Sequence, residues 1–179
     1  MKSLLAFARA VDGISDRFAG AAAWAVLASC LISAGNALVR YGLDTSSNAW
    51  LEIQWYLFAA CVMLGAAQVL RLNEHVRVDV FYGRLPPRAR AWVDLLGLLL
   101  FLLPVMGLML WLSWPLFVQA FLSGERSGNV GGLLRWPALL MLPLGFALVT
   151  LQGLAEAVKR IAWLRHALDI DLHYERPRQ

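Results

Sequence analysis

The chain has 179 residues, of which 60% are hydrophobic and only 16% are charged, and its formal net charge is +4. A soluble domain of this length would devote about a quarter of its residues to charge, so the composition excludes an ordinary soluble domain. Four long runs contain no Asp, Glu, Lys or Arg, and they cover residues 18–39, 53–70, 95–124 and 136–155.

The four uncharged runs predict the fold class. Each run is close to or above the ~18–20 apolar residues that a helix needs to cross the hydrocarbon core of a bilayer. Strands of a membrane barrel would instead alternate polar and apolar residues. The sequence therefore predicts an all-α integral membrane protein, with one four-helix membrane domain over residues 1–165 and a cytoplasmic tail over residues 166–179. The predicted transmembrane spans are approximately 18–40, 49–71, 88–122 and 136–163.

The segment before the first span reads MKSLLAFARAVDGISDRF. Its apolar patch after Lys2 is too short for the core of a cleaved signal peptide. Apolar side chains recur at helical spacing while charged side chains occupy the other faces; the apolar ones are Leu4, Phe7, Val11, Ile14 and Phe18. This pattern predicts a short interfacial amphipathic helix that leads into the first span. A frayed tail is the alternative.

The first two spans meet at a short loop that is flanked by opposite charges. Arg40 ends the first span and Glu52 opens the second. An ion pair between them would lower the cost of placing either charge in the headgroup region, and the alternative is that each side chain reaches water separately. The second span also carries the small residues Gly65, Ala66 and Ala67, which allow close packing against the first span or against a partner helix.

The central loop, NEHVRVDVFYGRLPPRAR, is the most charged stretch in the middle of the chain. Glu74, His75 and Asp79 could together hold a metal ion. No second His and no Cys lies near them in the sequence, so a solvated or hydrogen-bonded His75 is favoured over a metal ligand.

The basic residues predict the orientation in the membrane. All Lys and Arg residues except Arg40, Arg126 and Arg135 lie on one side of the four predicted spans. The positive-inside rule places that side, with both termini and the central loop, in the cytoplasm. The central loop is therefore predicted to retain the cytoplasmic face of the chain.

The third span is predicted to be unusually long. Residues 87–122 contain no helix-breaking signal except Pro104 and Pro115. A continuous helix of that length would reach roughly 50 Å, well beyond a hydrocarbon core of ~30 Å. The helix must therefore tilt, bend at the prolines or protrude, and strong tilt with bending and protrusion at one end is favoured.

The loop after the third span, LSGERSGNVGGLLRW, offers three charges to the periplasm, and they are Glu125, Arg126 and Arg135. Together with Asp44 of the first loop, these side chains are candidates for docking a soluble partner, and a plain polar rim is the alternative. The stretch GNVGGLL predicts a turn between two helices.

The pattern of polar residues disfavours several classes of function. No Asp, Glu, Lys, Arg or His lies between the interfacial zones, so a transport path through this chain alone is disfavoured. Asn36, Gln68, Thr150 and Gln152 are predicted to make interhelical hydrogen bonds. All histidines lie outside the spans, where no pair could ligate haem, and no nucleophile elbow or phosphate-binding loop is present. The sequence thus predicts neither an enzyme nor a cofactor or nucleic-acid site.

Two quoted stretches carry a family resemblance. LEIQWYLFAACVMLGAAQVLRLNEHVRVDVFYGRLPPRAR resembles the second helix and central loop of the small membrane subunit, the DctQ type, of tripartite ATP-independent periplasmic (TRAP) transporters. GGLLRWPALLMLPLGFALVTLQGLAEAVK is similar to the fourth helix of that family. The matching features are Glu52, the run Gly65-Ala66-Ala67, the run His75-Val76-Arg77-Val78-Asp79 and a Leu-Pro before basic residues. A departure is Pro86-Pro87, where a capping Ser or Thr before the proline would be expected.

The resemblance implies a division of labour in the inner membrane of a bacterium. A periplasmic binding protein would deliver an organic acid to a large membrane subunit, which would carry substrate and sodium by an elevator mechanism. The small subunit would be a fixed, non-catalytic scaffold that pairs with the large subunit, contacts phospholipids and meets the binding protein transiently. Arg77 and Asp79 of the central loop would help to fix the register of the two subunits. The alternatives are a membrane anchor for a redox or other enzyme complex and, less favoured, a channel formed by this chain alone.

Overall fold

The fold of the chain is given by a computed structural model that describes residues 1–45, 47–74 and 82–166. Its helices are α1 (Lys2–Leu43), α2 (Asn48–Leu72), α3 (Pro87–Gly97), a π-helical turn (Leu98–Leu102), α4 (Leu103–Ser123) and α5 (Trp136–Leu164). Helix α3, the π turn and α4 follow one another without a break, and they are called the third helix below.

The predicted all-α membrane fold is confirmed. Helices α1, α2, the third helix and α5 are each long and apolar enough to cross a membrane. The four predicted spans lie within these helices, and the levels at which a bilayer would begin and end on them stay a prediction.

Helix α1 differs from the expected arrangement of a separate short helix followed by a span. It continues without interruption from Lys2 to Leu43, a length of about 63 Å for its 42 residues. Gly20, two residues after Phe18, lies within the helix and does not end it, and the first part of α1 finds a packing partner in the folded chain. Ala8 and Val11 are buried against Ala155 of α5, so the first turns of α1 extend the helix bundle.

The third helix is irregular just before Pro104, one of the two prolines at which the sequence predicted a bend, and it continues as an α-helix through Pro115. The backbone N–H of Leu103 donates to the carbonyl oxygen of Leu98, a bond one residue longer than in an α-helix. Pro104 follows directly, and a proline ring inside a helix lacks an N–H and clashes with the carbonyl group four residues before it. The wider π turn removes this conflict just before Pro104.

Helix α5 lies at the centre of the fold and packs against α1, α2 and the third helix. Two glycines let its neighbours approach closely. A Cβ on Gly145 would lie 2.7 Å from Cβ of Met63 in α2, and a Cβ on Gly153 would lie 2.7 Å from Cδ2 of Leu102 in the π turn. These close approaches fix α5 between α2 and the third helix, as expected where lipid supplies no hydrophobic drive for helix association.

Candidate functional site

A buried polar cluster joins α1 to α5. Gln152 of α5 is fully buried and accepts a hydrogen bond of 2.7 Å from the hydroxyl of Ser15. Its amide nitrogen donates to Asp12 Oδ1 at 2.9 Å and to Glu156 Oε1 at 3.1 Å. Buried polar groups are costly unless they are hydrogen-bonded, so this cluster permits only one register of α1 along α5.

Lys159 completes the same cluster. Its Nζ lies 2.7 Å from Asp12 Oδ1 and 2.7 Å from Glu156 Oε1. The side chains are 17%, 19% and 8% exposed for the lysine, the aspartate and the glutamate, so the three charges are mostly removed from water. Because one lysine faces two carboxylates, removing it would leave two like charges side by side.

Two further ion pairs lie at the same level of the fold. Asp16 of α1 pairs with Arg71 of α2 at 2.7 Å and also accepts a hydrogen bond of 3.0 Å from the amide of Gln68. Arg160 Nε of α5 lies 3.3 Å from Asp94 Oδ2 of α3 without being aligned for a hydrogen bond.

These groups sit where the uncharged runs of all four helices end, and this end of the fold is called the charged end. Each of the pairs joins a different pair of helices, namely α1–α5, α1–α2 and α3–α5. The predicted interhelical role of Gln68 and Gln152 is confirmed. The same prediction is wrong for Thr150, whose hydroxyl donates within its own helix to the carbonyl oxygen of Phe146.

At the opposite end, residues 125–135 fold into a tight hairpin, called the hairpin below. Its backbone bonds run from Ser127 N to Leu133 O and from Arg135 N to Glu125 O, both at 2.9 Å. Arg126 and Leu134 form an antiparallel bridge between them.

The tip of the hairpin is a turn over residues 129–132, as the sequence predicted. Gly132 N donates to Asn129 O at 2.9 Å, and Gly131 has a φ of 74°, which is typical of the third residue of a type II turn. Gly132 is needed for a different reason, since a Cβ there would lie 2.8 Å from the carbonyl oxygen of Asn129. Val130, between them, is 89% exposed.

The carboxylate of Glu52 organises this hairpin. Glu52 belongs to the second turn of α2 and is only 2% exposed. It accepts hydrogen bonds of 2.7 Å from the amide of Asn129 and 2.8 Å from the backbone N–H of Leu133, and the hydroxyl of Ser127 is a third donor. A second residue of α2, Asn48, donates to the carbonyl oxygen of Val130 at 3.3 Å. The first turns of α2 therefore hold both arms and the tip of the hairpin.

The predicted ion pair between Arg40 and Glu52 is wrong. Arg40 lies over the ring of Tyr41, with its carbon Cζ 5.3 Å from the ring centroid, and is exposed. Glu52 does not reach water either, because neutral donors from a loop about 80 residues further along the chain surround its carboxylate. The sequence signal for these donors is the stretch Ser127-Gly-Asn129, whose hydroxyl and amide groups lie at the start of the predicted turn.

The four predicted docking residues, three in the hairpin and Asp44 at the end of α1, differ in whether they form an ion pair. Arg135 forms an ion pair with Glu125 across the base of the hairpin. Arg126 is exposed and makes no ion pair with any residue that the structure describes. Asp44 caps the end of α1 in a left-handed conformation and is also exposed. Of the four predicted docking residues, Arg126 and Asp44 thus carry a charge available to a partner.

The other predicted interface residues have mixed outcomes. Gly65 faces Ala22 of α1, and Ala67 is fully buried between helices of this chain, whereas Ala66 is half-buried. Small residues of α1 and α2 therefore face each other at Gly65. His75, Arg77 and Asp79 lie outside the described residues.

Large apolar surfaces face outward from two helices. Helix α1 exposes a stripe with a spacing of seven residues, which comprises Trp24, Leu31 and Leu38 at 71%, 64% and 76% exposure. The third helix exposes Phe101, Trp111 and Leu122 at 71%, 71% and 78%. A groove of about 600 Å³ also opens between the hairpin-side ends of α1 and α2, where Leu31 and Trp50 belong to its lining.

Comparisons with known proteins agree with one another. The family model described as tripartite ATP-independent periplasmic transporters, DctQ component, matches residues 29–162. A protein of Haemophilus influenzae named "Putative TRAP transporter small permease protein" is 38% identical over 56 residues, which are 31% of this chain and 35% of that protein. The matched segment therefore spans about a third of that relative. No solved structure matches the chain.

Proposed function

Since the chain belongs to the DctQ component family of tripartite ATP-independent periplasmic transporters, we propose that it is the small, non-catalytic membrane subunit that scaffolds the large permease subunit. On this proposal the assembly takes up an organic acid, coupled to sodium, from a periplasmic binding protein. The small subunit binds neither substrate nor sodium itself. It provides a fixed surface against which the transport domain of the large subunit moves as an elevator.

The observation that carries the proposal is how the buried polar groups are used. Asp12 of α1 binds both Gln152 and Lys159 of α5. Two ion pairs, Asp16 with Arg71 and Arg160 with Asp94, bridge two further helix pairs. Polar groups that form a transport path must exchange partners with a solute, whereas these groups already hold helices of the same chain in register. Such an arrangement supports a rigid brace.

The outward apolar faces are the proposed contacts with the large subunit and with phospholipids. Among the described residues, no helix covers the stripe of Trp24, Leu31 and Leu38 or the exposed face of the third helix. Van der Waals packing of such faces is what drives helices together in lipid. Arg40, Ala66 and the central-loop residues His75, Arg77 and Asp79 are proposed to set the register at the rims of this contact.

The proposed orientation places the charged end in the cytoplasm and the hairpin in the periplasm. Both termini would then face the cytoplasm of a bacterial inner membrane. The positive-inside rule supports this orientation, since the exposed Lys2, Arg9 and Arg17 lie at the charged end of α1. Asp44 and the hairpin charges would then face the binding protein.

The proposal is tested by removing the chain from the complete system. The large subunit and the binding protein are reconstituted with and without this chain in proteoliposomes, and uptake of a panel of radiolabelled organic acids is followed under a sodium gradient. We expect uptake only when this chain is present, together with its co-purification with the large subunit. Full uptake without the chain would contradict a scaffold role, and solute flux from the chain alone would contradict its passive role. Uptake that persists when choline replaces sodium would contradict the proposed coupling of uptake to sodium.

A further inference from the structure

We infer that the hairpin of residues 125–135 is the element through which this chain contacts the periplasmic binding protein, and that Glu52 is the positioning residue that holds the hairpin in its binding conformation. The inference rests on the proposed function and makes it specific. It selects the hairpin from among the charged loops as the contact with the binding protein. It also assigns a role to the buried carboxylate of Glu52, which does not itself contact the binding protein.

The first argument is that the hairpin is fixed before any partner arrives. Its arms are joined by two backbone bonds of 2.9 Å, and Arg135 pairs with Glu125 at its base. From below, Glu52 receives three donors from the hairpin, and Asn48 binds the carbonyl oxygen of Val130. A loop that is already ordered loses less conformational entropy on binding, which favours contact with a transient partner.

The second argument is that a buried carboxylate is used to hold a surface loop. Glu52 is 2% exposed, and taking a carboxylate out of water is costly unless several donors replace its hydration. Its donors come from the hairpin: Leu133 N–H, the amide of Asn129 and the hydroxyl of Ser127. If the hairpin opened, Glu52 would lose these donors together, so the carboxylate strongly favours the closed conformation.

The third argument concerns the chemistry of the exposed tip. Val130 is 89% exposed, and the exposed Arg126 has no ion-pair partner among the residues described. This combination of one apolar side chain and one free guanidinium on a preformed turn suits a soluble protein surface that offers a shallow apolar pocket beside a carboxylate. A lipid surface suits it less, because the same hairpin carries the acidic Glu125 and exposed backbone.

The experiment uses the complex of both membrane subunits in nanodiscs and the binding protein of the same transport system. Cysteines are introduced one at a time by Val130→Cys, by Arg126→Cys and, at the charged end, by Arg9→Cys, in a chain carrying Cys30→Ser and Cys61→Ala. Each is labelled with a thiol-reactive photo-cross-linker, and the cross-linked product is measured against binding-protein concentration. We expect saturable products from the two hairpin positions and none above background from Arg9→Cys.

The role of Glu52 is tested in the same assay. Glu52→Gln is combined with Val130→Cys. The matched control is Glu74→Gln, which changes an exposed acid just beyond the other end of the same helix. A carboxamide keeps one acceptor oxygen but turns an NH₂ group toward the donors of the hairpin. We expect the half-saturating binding-protein concentration to rise roughly tenfold for Glu52→Gln and to stay unchanged for Glu74→Gln, with the same amount of large subunit bound in both.

The inference is overturned if Val130→Cys and Arg126→Cys give no more product than Arg9→Cys. The positioning role is overturned if Glu52→Gln leaves the concentration dependence unchanged. An exposed variant, Arg126→Glu, guards against a folding defect of Glu52→Gln, and an unchanged concentration dependence for Arg126→Glu would also count against the hairpin. These outcomes differ from failure of the proposed function, in which the unmodified chain would bind no large subunit at all.

Discussion

The two ends of the helix bundle satisfy their buried carboxylates in opposite ways. At the charged end, Lys159 faces Glu156 of its own helix and Asp12 of α1, so the carboxylates meet a charged partner and the bond to Asp12 joins two helices. At the hairpin end, Glu52 is surrounded by neutral N–H and O–H donors of a loop. The comparison shows that buried carboxylates can have different structural roles. Those at the charged end set the register of the helices, whereas Glu52 sets the conformation of the hairpin.

The largest expected effect would break the charged end. Lys159→Met leaves Asp12 and Glu156 close together without their cation, and we expect it to destabilise the chain by about 3 kcal/mol. Thermal unfolding of the purified chain in detergent measures this loss. Arg17→Met, which removes an exposed cation from the same end of α1, is the control and should change stability little. Equal stability of the two variants would show that the cluster does not hold the bundle.

An intermediate effect is expected between the two ends, where α5 meets α2. In Gly145→Ala the new Cβ would lie 2.7 Å from Cβ of Met63 and 2.8 Å from its carbonyl oxygen, so the helices must separate. We expect a loss of about 2 kcal/mol in the same unfolding assay. The matched control is Gly107→Ala, which meets nothing within 4 Å and should leave stability unchanged or slightly raised. If the Gly145→Ala chain were as stable as the Gly107→Ala chain, the close approach of α5 to Met63 of α2 could relax at little cost in free energy.

The smallest effect on the whole molecule is expected at the hairpin end. Glu52→Gln should leave the unfolding of the bundle almost unchanged, because its hydrogen bonds go to a loop and not to another helix. Hydrogen exchange of the backbone N–H of Leu133 should nevertheless become roughly tenfold faster, since its acceptor is weakened. If Glu52→Gln lowered bundle stability as much as Lys159→Met, the contrast between the two ends would be lost.

The sequence predicted those features that depend on neighbouring residues. Four uncharged runs predict four helices, Pro104 predicts an irregularity in the third helix, and the glycines after Val130 predict a turn. Each follows from local composition or backbone geometry, which tertiary packing did not override.

Features that depend on distant partners could not be predicted in the same way. The sequence suggested that Gln68 and Gln152 bond between helices, but Gln152 meets Ser15 and Asp12 about 140 residues away. For Glu52 the sequence offers Arg40, a near neighbour, as a candidate partner and water as the alternative, because nothing local indicates that the hairpin folds over α2. Likewise, the unbroken α1 depends on a buried contact with Ala155 that only the folded chain provides.

The π turn also decides which side of the third helix faces its neighbour. One added residue turns everything beyond it by about 100° around the helix axis. Helix α4 follows it with Ser113 turned inward at 5% exposure and with Trp111 and Trp114 turned outward at 71% and 54%. In an uninterrupted α-helix of the same sequence, Leu112 would take the inward position that Ser113 now occupies, and the serine would turn away from the inside. The π turn thus sets the rotation of α4 about the helix axis relative to α3, so that the residues of α4 that face the bundle are small.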